Sequence, residues 1–314
     1  MAAFIEPFGT TASGAYVHRS VLDNGTLRVA FLSYGATVQS VVFDGREMTV
    51  GGATMADYEG TRRVFGALVG PVANRIGYGR GEIDGVLHRF EVNRAPHMLH
   101  SASAALHLRV WDMALEGETV VFRITCPDGE AGFPGNREII ARYRLDGAAL
   151  VLEIEGRTDK PTLMNIANHS YWSLGGGFAD HHLQIDADHY LPTDDTSLPT
   201  GEISDVSGTP YDFRKGRRLM EGVPPLDHNF CLNSFGRAVL SGRFARMTVE
   251  TDAPGLQVYD AATQSPNYCG VALEAQHWPD APNHVDFPSI LLRPDNVYHQ
   301  KTHWNFSRIA SETG

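Results

Sequence analysis

Ile139-Ile140-Ala141-Arg142-Tyr143-Arg144-Leu145-Asp146-Gly147-Ala148-Ala149-Leu150-Val151-Leu152-Glu153-Ile154-Glu155 is the stretch whose reading decides the fold. Alternate residues of a strand project to opposite faces, so Ile139, Ala141, Tyr143 and Leu145 share one face while Ile140, Arg142 and Arg144 share the other. The two-residue period returns in Leu150, Leu152 and Ile154, set against Val151, Glu153 and Glu155. Between the two runs stands Asp146-Gly147, a residue pair that tight hairpins prefer. The stretch therefore predicts two antiparallel strands sharing one apolar face.

Leu183, Ile185 and Ala187 alternate with Gln184, Asp186 and Asp188, and shorter β-rich runs occupy 27–32, 38–43, 119–126, 247–251 and 271–276. Asp23-Asn24-Gly25, Asp44-Gly45, Asp84-Gly85 and Asp128-Gly129 stand between such runs. Many short strands joined by hairpin turns, without regular alternation of strand and helix, predict an all-β fold, a large antiparallel sandwich or barrel. No composition shift, charge run, linker or internal repeat divides the chain, so residues 1–314 read as a single domain. The one helix foreseen covers 102–108.

With 26 basic and 37 acidic side chains the net charge is −11 at pH 7, which excludes the basic stripe that nucleic-acid binding requires. The first residues, Met1-Ala2-Ala3-Phe4-Ile5-Glu6-Pro7, lack a basic region and reach an acid and a proline before any apolar run, so no signal peptide is expected. No window approaches the ~18 apolar residues of a membrane helix, and an acidic chain is repelled by anionic lipid. Cys126, Cys231 and Cys269 are too few and too scattered for a disulfide framework or a zinc site, which points to a reducing, cytoplasmic setting. A soluble monomer or small homo-oligomer fits that charge.

No phosphate loop, dinucleotide fingerprint, zinc-protease motif or nucleophile elbow is present. Gly77-Tyr78-Gly79-Arg80-Gly81 is glycine-rich but leads into a strand and turn rather than a helix, against an anion loop. His97/His100 and His299/His303 have metal-like spacings, but no local acid or cysteine completes a ligand set, so no metal is expected.

Four polar stretches interrupt the apolar pattern: Gly70-Pro71-Val72-Ala73-Asn74-Arg75-Ile76, Met98-Leu99-His100-Ser101, Asn165 to Trp172, and Leu273-Glu274-Ala275-Gln276-His277-Trp278-Pro279-Asp280 with the residues after it. Singly, each has a structural reading: Arg75 paired with a surface acid, Asn168 and His169 satisfying buried backbone, Glu274 facing solvent on an edge strand. Together they supply a histidine able to donate a proton near neutral pH and a glutamate able to accept one. They also supply polar groups and an aromatic ring of the kind that hold a sugar.

At these residues the chain resembles the aldose 1-epimerase family. The resemblance rests on Asn74-Arg75-Ile76, Leu99-His100, Pro127-Asp128-Gly129-Glu130 with Gly132-Phe133-Pro134-Gly135, Asn168-His169-Ser170-Tyr171, Asp227-His228-Asn229-Phe230, and Leu273-Glu274-x-Gln276-x-Trp278-Pro279-Asp280-Ala281-x-Asn283. With Leu22-Asp23-Asn24-Gly25 and Tyr34-Gly35-Ala36-Thr37 near the start, it covers the chain from about residue 20 to Phe306. It implies a large antiparallel β-sandwich, His169 as general acid, and Glu274 as general base. It also implies that Asn74, Arg75, His100 and Asp227 bind sugar hydroxyls or hold the ring oxygen and the catalytic pair, with Gln276 and Trp278 lining the pocket.

Three departures stand near the expected pocket. Pro71 replaces an arginine common in the family, Ser101-Ala102-Ser103-Ala104-Ala105 replaces a glycine-rich segment, and Tyr259-Asp260-Ala261-Ala262-Thr263-Gln264 leads to Glu274 by a shorter connection. The expected reaction interconverts the anomers of a free aldose without a cofactor, with acid and base on opposite sides of the ring. The competing readings are a non-catalytic sugar-binding protein, a glycoside-cleaving enzyme using Asp227 and Glu274, and an epimerase for a modified or phosphorylated sugar served by Arg62, Arg63 or Arg214.

Overall fold

The alternating stretch forms two strands, Arg137–Asp146 and Ala149–Thr158, paired antiparallel with Tyr143 opposite Leu152 and Arg142 opposite Glu153. Ile139, Ala141, Tyr143, Leu150, Leu152 and Ile154 are buried in the main core. The opposite face carries ion pairs instead, Arg142 with Glu155 at 3.1 Å and Lys301 with Glu153 at 2.8 Å. The two-residue connection Gly147-Ala148 has Gly147 at φ +57°, while at Asp44-Gly45 and Asp84-Gly85 both residues take positive φ, the geometry for which those pairs are suited.

The computed structural model describes residues 2–219, 224–234, 236–261 and 270–309; Cys269 lies outside them. The two strands sit within a nine-stranded antiparallel sheet, ordered Asp112–Glu116, Thr119–Cys126, Arg137–Asp146, Ala149–Thr158, Tyr298–Arg308, Ala245–Thr251, Arg237–Ser241, His182–Ile185 and Arg217–Arg218. A five-stranded sheet (Ala2–Thr10, Tyr16–Asp23, Leu27–Leu32, Thr37–Phe43, Arg46–Glu47) and a six-stranded sheet (Tyr171–Trp172, Val271–Gln276, Gly255–Tyr259, Asp227–Cys231, His189–Leu191, Ser204–Asp205) pack against it. Aromatic pairs join the layers: Phe31 with Tyr143 at 4.9 Å between ring centres, Phe43 with Phe306 at 5.8 Å, and Trp172 with Trp304 at 5.8 Å. The architecture is the expected β-sandwich of antiparallel sheets.

Ala2–Thr10, an edge strand exposed over most of its length and paired with Tyr16–Asp23, lies outside the β-rich runs read from the sequence. The foreseen helix over 102–108 is instead two single turns of 3₁₀ helix, Ala102–Ala104 and Leu106–Leu108. Ser101 and Ala102 take positive φ, Ala105 is extended (φ −55°, ψ 120°), and the Leu106 N–H turns away to the Gly70 carbonyl at 3.0 Å. Burial of Ala102, Ala104 and Leu106 in that path outweighs the helical propensity of the alanines.

Leu152→Ala should cost about 2–5 kcal/mol in urea unfolding, the usual range for emptying a packed core site. Glu155→Ala, on the outer face of the same strand, should cost less than about 1 kcal/mol. Equal losses would show that the two faces are not divided into core and solvent as described.

Candidate active site

Glu274 lies on Val271–Gln276, between Tyr171–Trp172 and Gly255–Tyr259, so it is not on a sheet edge. Every residue of that strand is buried, and Glu274 is 2% exposed. His169 follows the two-residue strand Ala167–Asn168, which pairs with Leu68–Val69. The His169 N–H donates to the Ala67 carbonyl and its own carbonyl accepts the Gly66 N–H, both at 2.9 Å. The Asn168 amide donates to the Gly66 carbonyl at 2.8 Å, so Asn168 does satisfy buried backbone, as its structural reading has it. Gly66 has φ +75°, and a Cβ there would stand 2.0 Å from the Val38 carbonyl oxygen, so only glycine admits this turn. These supports place His169 Nε2 at 3.5 Å from Glu274 Oε1.

Asn74 and His100 both hold positive φ, 61° and 48°. The Asn74 N–H donates to His100 Nδ1 at 3.1 Å, and the Asn74 side-chain oxygen accepts the Arg75 N–H at 2.8 Å. An acceptor role for Nδ1 leaves the hydrogen of a neutral His100 on Nε2. Arg75 Nη1 stands 3.7 Å from Asp227 Oδ2, and the Gln257 amide donates to Asp227 Oδ1 at 2.7 Å. A cleft of about 660 Å³ brings Asn74, Arg75, His100, His169, Asp227 and Glu274 together.

Gln276 and Trp278 do not line it. Gln276 is fully buried, its amide donating to the His277 carbonyl at 3.1 Å. Trp278 has left the strand: its indole donates to the Pro254 carbonyl at 2.9 Å and packs edge-on against Phe287 at 5.1 Å. The aromatic wall of the cleft is instead Phe65, Tyr171 and Tyr259. Phe65 stacks on Tyr171 at 4.0 Å, and Tyr171 lies 5.1 Å from the His169 ring. Tyr171 stands in the Asn-His-Ser-Tyr motif and His228 beside Asp227, so both had a signal; Thr193 and Ser197 also line the cleft but belong to no motif.

Of the departures, Pro71 and the segment 101–105 stand behind the cleft rather than in its wall. The Pro71 carbonyl accepts the Asn165 N–H at 2.7 Å, and buried Ser101 exchanges hydrogen bonds with the Val72 backbone. Tyr259 and Asp260 are in the wall, whereas Ala262, Thr263 and Gln264 fall outside the described residues. Among the three arginines considered for an acidic sugar, Arg214 is held by Asp188 and Asp212 and Arg62 is turned to the Gly51 carbonyl. Arg63 lines the cleft, as does Arg94. His97 is occupied, with Nδ1 accepting the Tyr78 N–H and Nε2 at 2.8 Å from the Thr196 hydroxyl.

Burial governs the charges. It pulls His169 down to about 3 and, with the nearby charges of His169, His107 and Arg75, holds His100 well below the usual histidine range. Burial, helped by the charge of Asp227, pushes Glu274 well above the usual carboxylate range. The free site is thus drawn toward an uncharged pair, a protonated Glu274 beside a neutral His169, rather than the expected carboxylate and imidazolium. The two arrangements differ only in which partner holds one proton. Glu274 Oε2 and Arg75 Nε are buried without a hydrogen-bond partner among the described residues. Such atoms in a cleft wall are suited to a ligand rich in hydroxyls.

Acid should destabilise the fold early. An unfolded histidine takes a proton near 6.5, whereas folded His107 and His228 resist, by burial, until about 4 and His169 until about 3. Between those values the unfolded chain binds more protons, so stability falls as pH falls. Asp227, Glu274 and Asp280, raised by burial, act with the opposite sign but are fewer than the depressed histidines, which also include His97, His100 and His181. The urea midpoint should therefore be lower at about pH 5 than at about pH 7; an equal or higher midpoint at the lower pH would contradict these assignments.

Comparison with known proteins agrees with the geometry. Residues 18–305 match the aldose 1-epimerase family. The chain is 34% identical to galactose mutarotase of Sus scrofa, over 96% of this chain and 97% of that protein. It is 31% identical to aldose 1-epimerase of Escherichia coli K12, over 90% and 93%. Among solved structures it superposes on a galactose 1-epimerase from Lactobacillus acidophilus with TM-score 0.89 at 29% identity, covering 98% of this chain and 99% of that one. His169 and Glu274 share one cleft with Asn74, Arg75, His100 and Asp227, and the match across nearly the whole chain shows that this protein belongs to the aldose 1-epimerase family.

Proposed function

We propose that the cleft interconverts the α and β anomers of a free aldose by opening and reclosing the sugar ring. The observation that carries this reading is the 3.5 Å contact between His169 Nε2 and Glu274 Oε1 inside the cleft. Ring opening removes a proton from the anomeric hydroxyl, adds one to the ring oxygen, and breaks the bond between the anomeric carbon and that oxygen. Both oxygens are borne by one carbon, so an acid and a base side by side can address them from one edge of the ring. The expectation of groups on opposite sides is not needed.

Glu274 takes the hydroxyl proton and His169 gives one to the ring oxygen. The open-chain state then coincides with the uncharged pair that burial favours, protonated Glu274 and neutral His169. In the closed-ring complex, sugar hydroxyls supply the hydrogen bond that Glu274 Oε2 otherwise lacks and so favour the charged pair. Rotation about the bond next to the aldehyde presents its other face, and the same groups close the ring with roles reversed. Proton count balances without a cofactor. Arg75, Asp227, His100 and Asn74 hold hydroxyls, while Phe65, Tyr171 and Tyr259 receive the apolar C–H faces.

A sugar carrying an acidic group is the second reading, favoured by Arg63 and Arg94 on the cleft wall. A sugar binder without turnover leaves the buried acid–base contact without a task. The whole chain, 1–314, is taken to act as one domain, as a monomer or small homo-oligomer in the cytoplasm, without nucleic-acid or membrane partners. The net charge of −11 and the buried free thiols of Cys126 and Cys231 support this, and no helix among the described residues is long and apolar enough to cross a membrane.

Polarimetry of freshly dissolved α-D-galactose, α-D-glucose, α-D-xylose and a hexose 6-phosphate should show acceleration over the uncatalysed control. His169→Ala or Glu274→Gln should each lower turnover by at least about 100-fold. A loss of tenfold or less would remove that residue's assigned role. No acceleration of any sugar, with calorimetry still detecting binding, would leave the binding protein in place of the enzyme.

A further inference from the structure

Arg75 owes its place to a two-residue strand, Arg75–Ile76, paired among the described residues only with Met98–Leu99. So short an element cannot by itself hold a guanidinium in the cleft beside Asp227. Its N-terminal side is tied by the Asn74 side-chain oxygen, which accepts the Arg75 N–H. Its C-terminal side is tied by a residue far along the chain. The Asp280 N–H donates to the Arg75 carbonyl at 3.0 Å, and Asp280 Oδ1 accepts the Gly77 N–H at 2.8 Å. One residue therefore brackets Ile76 from both sides.

The clasp is built for this geometry. Asp280 is 4% exposed and takes φ +59°, a left-handed conformation uncommon outside glycine and the short polar residues. Its carboxylate is oriented by the Asn283 amide, which also donates to the Arg80 carbonyl at 2.9 Å, and His284 Nε2 lies 3.2 Å from Oδ2. A Cβ on Gly77 would stand 3.0 Å from Asp280 Oδ2, so the carboxylate fills the space a side chain would take. The glycine-rich run 77–81 does receive an anion on its first N–H, and that anion is the protein's own Asp280. Asp280 stands six residues beyond Glu274, just past the end of the strand that carries the base. The clasp thus joins that strand's exit to the strand that carries Arg75.

We infer that Asp280 is a positioning residue, which sets Arg75 beside Asp227 in the cleft that holds the Glu274–His169 pair, through the backbone of Arg75–Ile76–Gly77 and without touching the sugar. Asp280 is absent from the cleft wall. The inference rests on the reading of the cleft as an anomer-interconverting site, with Arg75 as a sugar ligand.

The test is a double-mutant cycle in kcat/KM for mutarotation, with melting temperature recorded for each variant. Asp280→Ala should lower kcat/KM by about tenfold or more in the wild-type background, and by less than about twofold once Arg75→Ala is present, because the effect passes through Arg75. Asp280→Asn, which keeps an oxygen for the Gly77 N–H, should retain activity to within about threefold. Should Asp280→Ala not fold, Gly77→Ala takes its place in the cycle, since its methyl group displaces the carboxylate. The same loss in both Arg75 backgrounds, or a lower melting temperature with unchanged kcat/KM, would make Asp280 a general structural residue and overturn the inference. Failure of the wild-type protein to accelerate mutarotation would instead overturn the functional reading beneath it.

Discussion

The interaction on which the rest depends is the buried contact between His169 and Glu274. Taking an ionisable pair out of water costs several kcal/mol per ion when both are charged. The same low-polarity surroundings make the position of a single proton between the two groups decisive. A solvated pair would be an ordinary carboxylate and an ordinary imidazole. Burial raises one and lowers the other, which brings the charged and uncharged arrangements into competition that an entering hydroxyl can influence. The sandwich provides the dry surroundings, and the cleft opens them on one side.

His169 and Arg75 rest on short or irregular backbone secured by distant parts of the chain. His169 stands between two-residue strands and is fixed by Gly66 and Ala67, whose turn is possible because residue 66 has no side chain. Arg75 occupies another two-residue strand, bounded by Asn74 and Asp280. Glu274 belongs to a longer strand, buried throughout and flanked by pairing on both sides. Precision at the site thus arises from glycine-permitted turns and side-chain-to-backbone bonds added to a regular sheet.

Much of this was legible in the residues themselves. The alternation over 139–155 gives strands whose inward and outward faces divide as written, since a strand with one face buried admits no slip of register. Asn74, Arg75, His100, His169 and Glu274 belong to polar stretches that interrupt the apolar pattern and Asp227 to a motif of the family resemblance, and the fold brings all six into one cleft. Gln276 and Trp278 show the limit of that inference: nearness to Glu274 in sequence does not set direction once the strand has ended, and Trp278 turns to Pro254 and Phe287. The helix expected at 102–108 failed because local propensity is weaker than the burial of a backbone path leading to the Gly70 carbonyl.

The sequence by itself determined the all-β class, the turn positions, and the residue types on which the proposed acid–base sugar site rests, because period, turn chemistry and functional-group chemistry are local properties. Tertiary structure alone decided that His169 and Glu274 lie 3.5 Å apart on the same side of the cleft and that burial draws them toward the uncharged pair. It also decided that Phe65, Tyr171 and Tyr259, rather than Trp278, form the aromatic wall, and that Asp280 reaches back to Arg75. Those outcomes depend on distance and desolvation between residues remote in the chain, quantities that exist only once the sheets have packed.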